Sequence, residues 1–338
     1  MGHLKGKTMS LKEDINYSLW CDFIERDFLE NRFKEIIKKQ IIQGATSNPA
    51  IFESSISNSV AYKQQLDMLQ ANNAKTIYEE LALTDIKRAA FLLADLHKAD
   101  NDDGFISIEV DPLLCDDAAG TIEEGVRLYS QINAENVMIK VPATEAGYIA
   151  MRELTSKGIN VNATLIFSPA QAIKCAQALD EGIKDSNKDI KAVISVFVSR
   201  LDRLADSDFA LKGLQTSKLG IINATKCYHE VNKFKNPNIR TLFASTGVKG
   251  DELSPSYYID NLIYPNSINT APLATIEDWL KDGSKVPTQI MCESDCDKYF
   301  ETLEAKGIKM KVIYEKLLND GIDSFKVSFK ELLSKLVN

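Results

Sequence analysis

The chain has 338 residues, of which 44% are hydrophobic and 26% charged, so it can bury a sizeable core and does not have the composition of a disordered protein. This length allows one large barrel domain or two ordinary domains. The net charge of −8 argues against a nucleic-acid-binding groove, which needs a basic face, but a few local cations would still suffice to hold an anionic metabolite.

Short apolar runs that carry polar residues on the alternate face recur along the chain and predict buried strands. In chain order they span residues 18–23, 44–49, 105–110, 137–142, 161–166, 193–198 and 241–246, with an eighth expected near 267–269. Because side chains alternate across a strand, the polar residues of each run share a face. The repetition predicts one polar pocket formed by Asp22, Thr46, Asn48, Ser107, Glu109, Lys140, Asn162, Thr164, Ser195 and Ser245.

Helical patterns separate these strands. We predict helices over residues 28–43, 60–70, 76–100, 121–132 with Thr121 as N-cap, and 144–156, then one that opens at Ser168 and Pro169, and a pair within 208–234. Strands that alternate with helices favour a parallel sheet, and about eight repeats favour a closed (β/α)8 TIM barrel. No Gly-x-Gly-x-x-Gly or Walker loop supports an open nucleotide-binding sheet. We expect residues 276–338 to form a C-terminal helical extension.

Lys140 is the residue with the clearest chemical meaning. It lies in an apolar strand, where Val137, Ile139 and Val141 face one way and Met138 and Lys140 face the other. An amine held inside a barrel is partly desolvated, which favours its neutral, nucleophilic form and suits Schiff-base chemistry with a ketone or aldehyde. An isolated lysine would more often extend to solvent at a strand end. The interpretation of Lys140 as a reactive lysine therefore depends on the polar residues of the other strands.

The cysteines and histidines give no sign of a metal centre. None of the six cysteines forms a Cys-x-x-Cys pair, and the three histidines are too scattered for a zinc site, so we expect reduced thiols in a cytoplasmic protein. No apolar run approaches membrane-spanning length, and we expect no membrane partner. Residues 1–14 lack the apolar core of a signal peptide and are expected to be extra or flexible, with Met9 as an alternative start.

Six ordered segments resemble the transaldolase family. They are residues 44–49 (GATSNP), 107–112 (SIEVDP), 139–144 (IKVPAT), 158–168 (GINVNATLIFS), 195–200 (SVFVSR) and 244–249 (ASTGVK). Each segment is moderate evidence, whereas the ordered set is strong. The resemblance implies a single domain with a class I aldolase-type TIM barrel, extra N- and C-terminal helices and the reactive lysine on the fourth strand.

The resemblance also implies a reaction and a role for each residue. A dihydroxyacetone unit would move from sedoheptulose 7-phosphate to glyceraldehyde 3-phosphate through an imine, in the pentose phosphate pathway and with no cofactor or metal. Lys140 would form the imine, Asp22 would act as the base in carbon–carbon cleavage, and Glu109 with Thr164 would move protons through a water. The substrate-binding set would be Thr46, Asn48, Asn162, Ser195, Arg200, Ser245 and Lys249.

The phosphate site and the class of enzyme leave alternatives open. Arg200 and Ser245 would hold the phosphate of a sugar substrate, and Lys249 is as readily a solvated surface lysine as a second cation. Some relatives place an arginine where Gly247 stands. An aldolase that releases free dihydroxyacetone and a catalytically dead binding barrel are the alternatives to a transaldolase. The chain is expected to be a monomer or a homodimer.

Overall fold

The structure is a computed structural model, and it describes residues 10–336 of the chain. Eight parallel strands close into a barrel in sequence order, as the alternation of strands and helices predicts. The strands are β1 (Ser18–Cys21), β2 (Gly44–Thr46), β3 (Phe105–Glu109), β4 (Val137–Pro142), β5 (Asn160–Ile166), β6 (Ala192–Phe197), β7 (Ile239–Ala244) and β8 (Ser267–Ala271). The TIM-barrel prediction is therefore confirmed.

Fifteen α-helices lie within the described residues. They are α1 (Leu11–Ile15), α2 (Arg26–Glu30), α3 (Arg32–Lys38), α4 (Pro49–Asn58), α5 (Lys63–Leu69), α6 (Ala74–Ala99), α7 (Ala118–Ile132), α8 (Glu145–Ser156), α9 (Pro169–Asp185), α10 (Ser199–Leu211), α11 (Leu219–Asn232), α12 (Tyr257–Asp260), α13 (Leu273–Asp282), α14 (Glu293–Ala305) and α15 (Met310–Leu336). The expectations about residues before Met9 lie outside the described part of the chain.

The two faces of β4 separate as the period-two pattern predicts. Val137, Ile139 and Val141 pack in the large cluster formed between the barrel and its helices. Met138 belongs instead to the cluster inside the barrel, together with Trp20 and other inward side chains. Lys140 therefore follows Met138 up the interior of the barrel, where it is 5% exposed.

Helix boundaries depart from the predicted ones in several places. The pair of helices predicted within residues 208–234 is a single helix there, α11, because α10 begins earlier, at Ser199, and ends at Leu211. The helix predicted over residues 28–43 is broken into α2 and α3 at Asn31, whose φ of −118° and ψ of −90° are not helical. The N-cap of α7 is Asp117, whose side chain accepts from the backbone N–H of Gly120, and not Thr121. Thr121 lies inside the helix and donates to the carbonyl of Leu114 instead.

The strand β5 also interrupts the regular alternation. Its pairing with β6 shifts between Ala163 and Ile166, and Leu165 has a φ of +57°. Leu165 thereby joins the second hydrophobic cluster, which runs from the barrel interior to α10, α14 and α15, although alternation places it with the outward residues of β5. A Cβ built on Gly321 of α15 would lie 3.1 Å from Leu165 Cδ2, so this long helix approaches the end of β5 closely.

The last helices extend the barrel fold at its carboxyl end. The helix α15 contacts α4, α6, α10 and β5, which places it across the strand ends. None of the six cysteines forms a disulfide. Within residues 10–336, no helix is long and apolar enough to span a membrane. In the same range, no three His, Cys, Asp or Glu side chains lie together as a metal site would require.

Candidate active site

A cavity of about 450 Å³ opens at the carboxyl ends of the strands. This is the end at which TIM barrels bind their substrates, because the loops that follow the strands converge there. The structure brings nine predicted site residues to the cavity wall, and these are Asp22, Thr46, Asn48, Lys140, Thr164, Ser195, Arg200, Ser245 and Lys249. The other two, Glu109 and Asn162, are buried behind the wall and contact residues that line it.

Lys140 forms the floor of the cavity. Its Nζ donates to the carbonyl of Ser47 at 3.1 Å and lies 3.7 Å from Oε2 of Glu109. Lys140 and Glu109 are register partners on β4 and β3, so the sheet itself sets this spacing. An amine with one backbone acceptor and one carboxylate beside it keeps a side open to the cavity for a carbonyl carbon.

Burial raises the pKa of Glu109 from 4.5 to about 7, while the Lys140 cation opposes that rise and the Asp22 carboxylate adds to it. A carboxyl group titrating near neutral pH can both donate and accept a proton during turnover. Its Oε2 forms no hydrogen bond with the protein, and neither does the buried hydroxyl of Thr164. Both groups can therefore bond to a water molecule or a substrate oxygen.

Asp22 follows β1 at the cavity wall. Its Oδ1 accepts a hydrogen bond from Thr46 Oγ1 at 2.6 Å, and Thr46 Oγ1 lies 2.8 Å from Thr270 Oγ1 on β8. This chain of hydroxyl groups fixes one carboxylate oxygen of Asp22. The other oxygen remains available to a substrate hydroxyl, which suits a general base.

Asn162 and Ser195 form a buried polar pair on β5 and β6. The Ser195 hydroxyl donates to Asn162 Oδ1 at 2.6 Å, and Asn162 Nδ2 donates to Ser107 Oγ at 3.2 Å. Asn48 is held differently, since it is the N-cap of α4 and its Oδ1 accepts from the backbone N–H of Ile51 at 3.0 Å. Asn48 also lines the cavity, and its amide nitrogen can serve as a donor there.

The rim of the cavity is cationic. Arg200 lies in the first turn of α10, with its guanidinium 5.0 Å above the ring of Phe197, and burial lowers the pKa of this arginine. Ser245 adopts a left-handed conformation with a φ of +54°, which places its hydroxyl 3.3 Å from that of Ser199. Lys249 is exposed at the same rim.

Sequence reasoning missed several residues of the wall, including Arg203, Thr270, Ser324 and Phe325. Thr270 could have been found, because it has the same strand parity as the inward Ile268. Arg203 follows Arg200 by three residues, which is one helical turn. Ser324 and Phe325 belong to α15, and no strand pattern signals their contact with the barrel.

Comparisons with known proteins identify the family of the chain. A family described as Transaldolase/Fructose-6-phosphate aldolase matches residues 19–336. A transaldolase from Helicobacter pylori (strain Shi470) is 47% identical over 94% of this chain and 98% of its own. A transaldolase from Campylobacter jejuni (subsp. jejuni serotype O:6) is 45% identical over 95% of this chain and 99% of its own.

Proposed function

Because the chain belongs to the transaldolase/fructose-6-phosphate aldolase family, we propose that it transfers a dihydroxyacetone unit through an imine on Lys140. It is an enzyme, a transferase of the transaldolase type. The donor is sedoheptulose 7-phosphate, the acceptor is glyceraldehyde 3-phosphate, and the products are erythrose 4-phosphate and fructose 6-phosphate. The observation that carries the assignment of the imine is Lys140, buried at the floor of the cavity with Glu109 at 3.7 Å.

The first half of the reaction forms the imine and breaks a carbon–carbon bond. The neutral Lys140 amine adds to the donor ketone, and Glu109 protonates the departing hydroxyl, which leaves as water. Asp22 then takes the proton of the hydroxyl beyond the bond that breaks. The electrons of that bond move into the imine, so an enamine stays on Lys140 and the aldehyde product leaves.

The second half runs these steps in reverse with a different aldehyde. The enamine carbon attacks the carbonyl of glyceraldehyde 3-phosphate, and Asp22 returns its proton to the new alkoxide. Water then adds to the imine, with Glu109 and Thr164 positioned to hold it, and fructose 6-phosphate is released. Thr46, Asn48, Asn162 and Ser195 hold the three-carbon unit, while Arg200, Ser245 and Lys249 hold the phosphate.

Support for the phosphate assignment comes from the charges at the rim. Within residues 10–336, Arg200 forms no ion pair, so its guanidinium is available to an anion. The carboxylate of Asp202, the nearest acid along the chain, accepts from the Gly220 backbone N–H and the Tyr258 hydroxyl instead. A pentose phosphate role follows from the substrates, and the cytoplasmic location and the choice between monomer and homodimer stay predictions from the sequence.

The test is a transfer assay with fructose 6-phosphate as donor, run with and without erythrose 4-phosphate. A parallel sample is reduced with borohydride, and the modified peptide is mapped by mass spectrometry. Without acceptor we expect at most one equivalent of glyceraldehyde 3-phosphate per enzyme, with sustained formation only when erythrose 4-phosphate is present, and the reduced adduct to lie on Lys140. Sustained turnover without acceptor, with release of dihydroxyacetone, would instead identify an aldolase. An adduct on another lysine would refute the assigned nucleophile.

A further inference from the structure

Arg203 lines the cavity, but the proposed reaction assigns no role to it. It lies in α10 one helical turn after Arg200, and residues three apart on a helix face the same side. Both arginines line the cavity that also contains Lys140. Arg203 is more exposed than the half-buried Arg200, although its guanidinium is partly covered, so the two residues lie at successive distances from the solvent.

The acids near Arg203 on its own helix are engaged elsewhere. Asp202 accepts from the Gly220 N–H at 2.8 Å and from the Tyr258 hydroxyl at 2.9 Å. Asp206 accepts from the N–H of Ser217 at 2.9 Å and from its hydroxyl at 3.2 Å. Within the described part of the chain, Arg203 therefore forms no ion pair, although two carboxylates lie within a helical turn of it along the chain.

The two arginines also act on each other. Burial lowers the pKa of both, and the charge of Arg203 lowers the pKa of Arg200 further. Like charges three residues apart on a helix repel each other, and cations in the first turns of a helix oppose its dipole. This arrangement costs folding free energy in the free enzyme, and an anion placed between the guanidinium groups would relieve that cost.

The other side of the rim leaves space for such an anion. Gly247 follows Ser245 by two residues and lines the cavity without a side chain. The atoms nearest to a Cβ built at Gly247 would be Pro272 Cγ and Thr275 Oγ1, both at 3.5 Å, which is ordinary contact, so the glycine is not required by crowding. No side chain at position 247 therefore fills the space beside Ser245, and α10 supplies two arginines to the same cavity.

We propose that Arg203 is a second phosphate-binding guanidinium, so that Arg200 and Arg203 together select substrates with a terminal phosphate over unphosphorylated sugars. This inference rests on the proposed function and adds a specificity-determining residue to it. A phosphate monoester carries close to two negative charges at neutral pH, which two arginines match. Paired planar guanidinium groups also bind several phosphate oxygens at once, which a distant surface cation does not do.

The experiment replaces Arg203 by glutamine, which keeps much of the side chain's length but removes its charge. Arg152→Gln is the matched control, because Arg152 lies on α8 outside the cavity and pairs with Glu181 and Asp185. Transfer kinetics are measured with fructose 6-phosphate and with unphosphorylated fructose. Dissociation constants for inorganic phosphate are measured by calorimetry on the same proteins, and Lys140 is trapped with dihydroxyacetone and borohydride.

In Arg203→Gln, we expect KM for fructose 6-phosphate and Kd for phosphate to rise about ten-fold, with KM for fructose changed less than about two-fold. Trapping of dihydroxyacetone on Lys140 should be unchanged, as should all constants of Arg152→Gln. Equal changes for the two sugars, or unweakened phosphate binding, would overturn the role of Arg203. Failure of the proposed function would instead appear in the wild-type enzyme as absent Lys140 adduct, and phosphate calorimetry would still test Arg203.

Discussion

The pair formed by Lys140 and Glu109 concentrates the chemistry of the site in two adjacent strands. Each residue is at most 6% exposed, and their register pairing on β4 and β3 sets their separation. Burial of the carboxyl group raises its pKa and thereby lowers the cost of having it neutral near pH 7. A carboxyl group that titrates near neutral pH can donate and accept a proton in turn, which imine formation and hydrolysis both need.

Replacing the nucleophile tests this pair directly. Lys140→Arg keeps a cation beside Glu109, but a guanidinium remains protonated and cannot add to a carbonyl carbon. We expect transfer to fall below detection and the borohydride adduct to disappear, while the circular dichroism spectrum keeps its native form. Measurable turnover by this variant, in protein verified by mass spectrometry, would contradict the imine mechanism.

The titration of Glu109 predicts a pH dependence of stability. Its pKa is raised from 4.5 to about 7 on folding, so the folded protein binds more protons than the unfolded chain between these values. Stability contributed by this group therefore falls as pH rises through that window. Glu109→Gln lacks the titration, so the free energy of unfolding of wild type minus variant should decrease from pH 4.5 to 7 and then level off.

Urea denaturation at pH 5, 6, 7 and 8 measures this difference. The pH-linked change should be no more than about 3.5 kcal/mol, since the pKa rises from 4.5 to about 7 and one unit corresponds to about 1.4 kcal/mol. A difference that grows with rising pH would mean that the carboxylate of Glu109 is stabilised by folding, with Lys140 outweighing burial.

At the scale of elements, the packing of β1 against β2 depends on a glycine. A Cβ built on Gly44 would lie 2.6 Å from Trp20 Cε2, and Trp20 is fully buried inside the barrel. Gly44→Ala must therefore displace the indole or the strand, and we expect a loss of about 1–3 kcal/mol in the free energy of unfolding. Gly247→Ala is the control, because its Cβ meets atoms at 3.5 Å, an ordinary contact. Equal denaturation midpoints for the two variants would contradict this account.

The elements also show which features a sequence can predict. The inward face of β4 was predictable, because Met138 and Lys140 alternate with three aliphatic residues and the pattern is local. The break at Asn31 between α2 and α3 was not, since apolar residues continue at helical spacing across it. Phe325 reaches the cavity from α15 only because the whole extension crosses the barrel end, which is a tertiary property.

At the scale of the whole molecule, one end of the barrel forms the active-site cavity and the other end contributes mainly to stability. The carboxyl end of the strands holds the cavity, whereas the opposite end holds a buried arginine, Arg240 on β7. Arg240 is 4% exposed and donates to five groups from β1, β8 and the segments before β1 and β3. These acceptors are the carbonyls of Asn16, Asp102 and Ser267, the hydroxyl of Ser18 and the carboxylate of Asp103.

This division predicts that stability and activity can be changed separately. Arg240→Met leaves the buried Asp103 carboxylate without one of its cations, so we expect a loss of about 3–5 kcal/mol in the free energy of unfolding. The kcat of the folded fraction, counted by borohydride trapping of Lys140, should change less than about two-fold. Arg200→Met tests the converse. We expect it to raise KM for fructose 6-phosphate and to leave the free energy of unfolding nearly unchanged, since Arg200 forms no ion pair within residues 10–336. If Arg240→Met lowered kcat per folded molecule as strongly as it lowered stability, the end of the barrel that holds Arg240 would be coupled to the active site, and the separation of the two roles would be wrong.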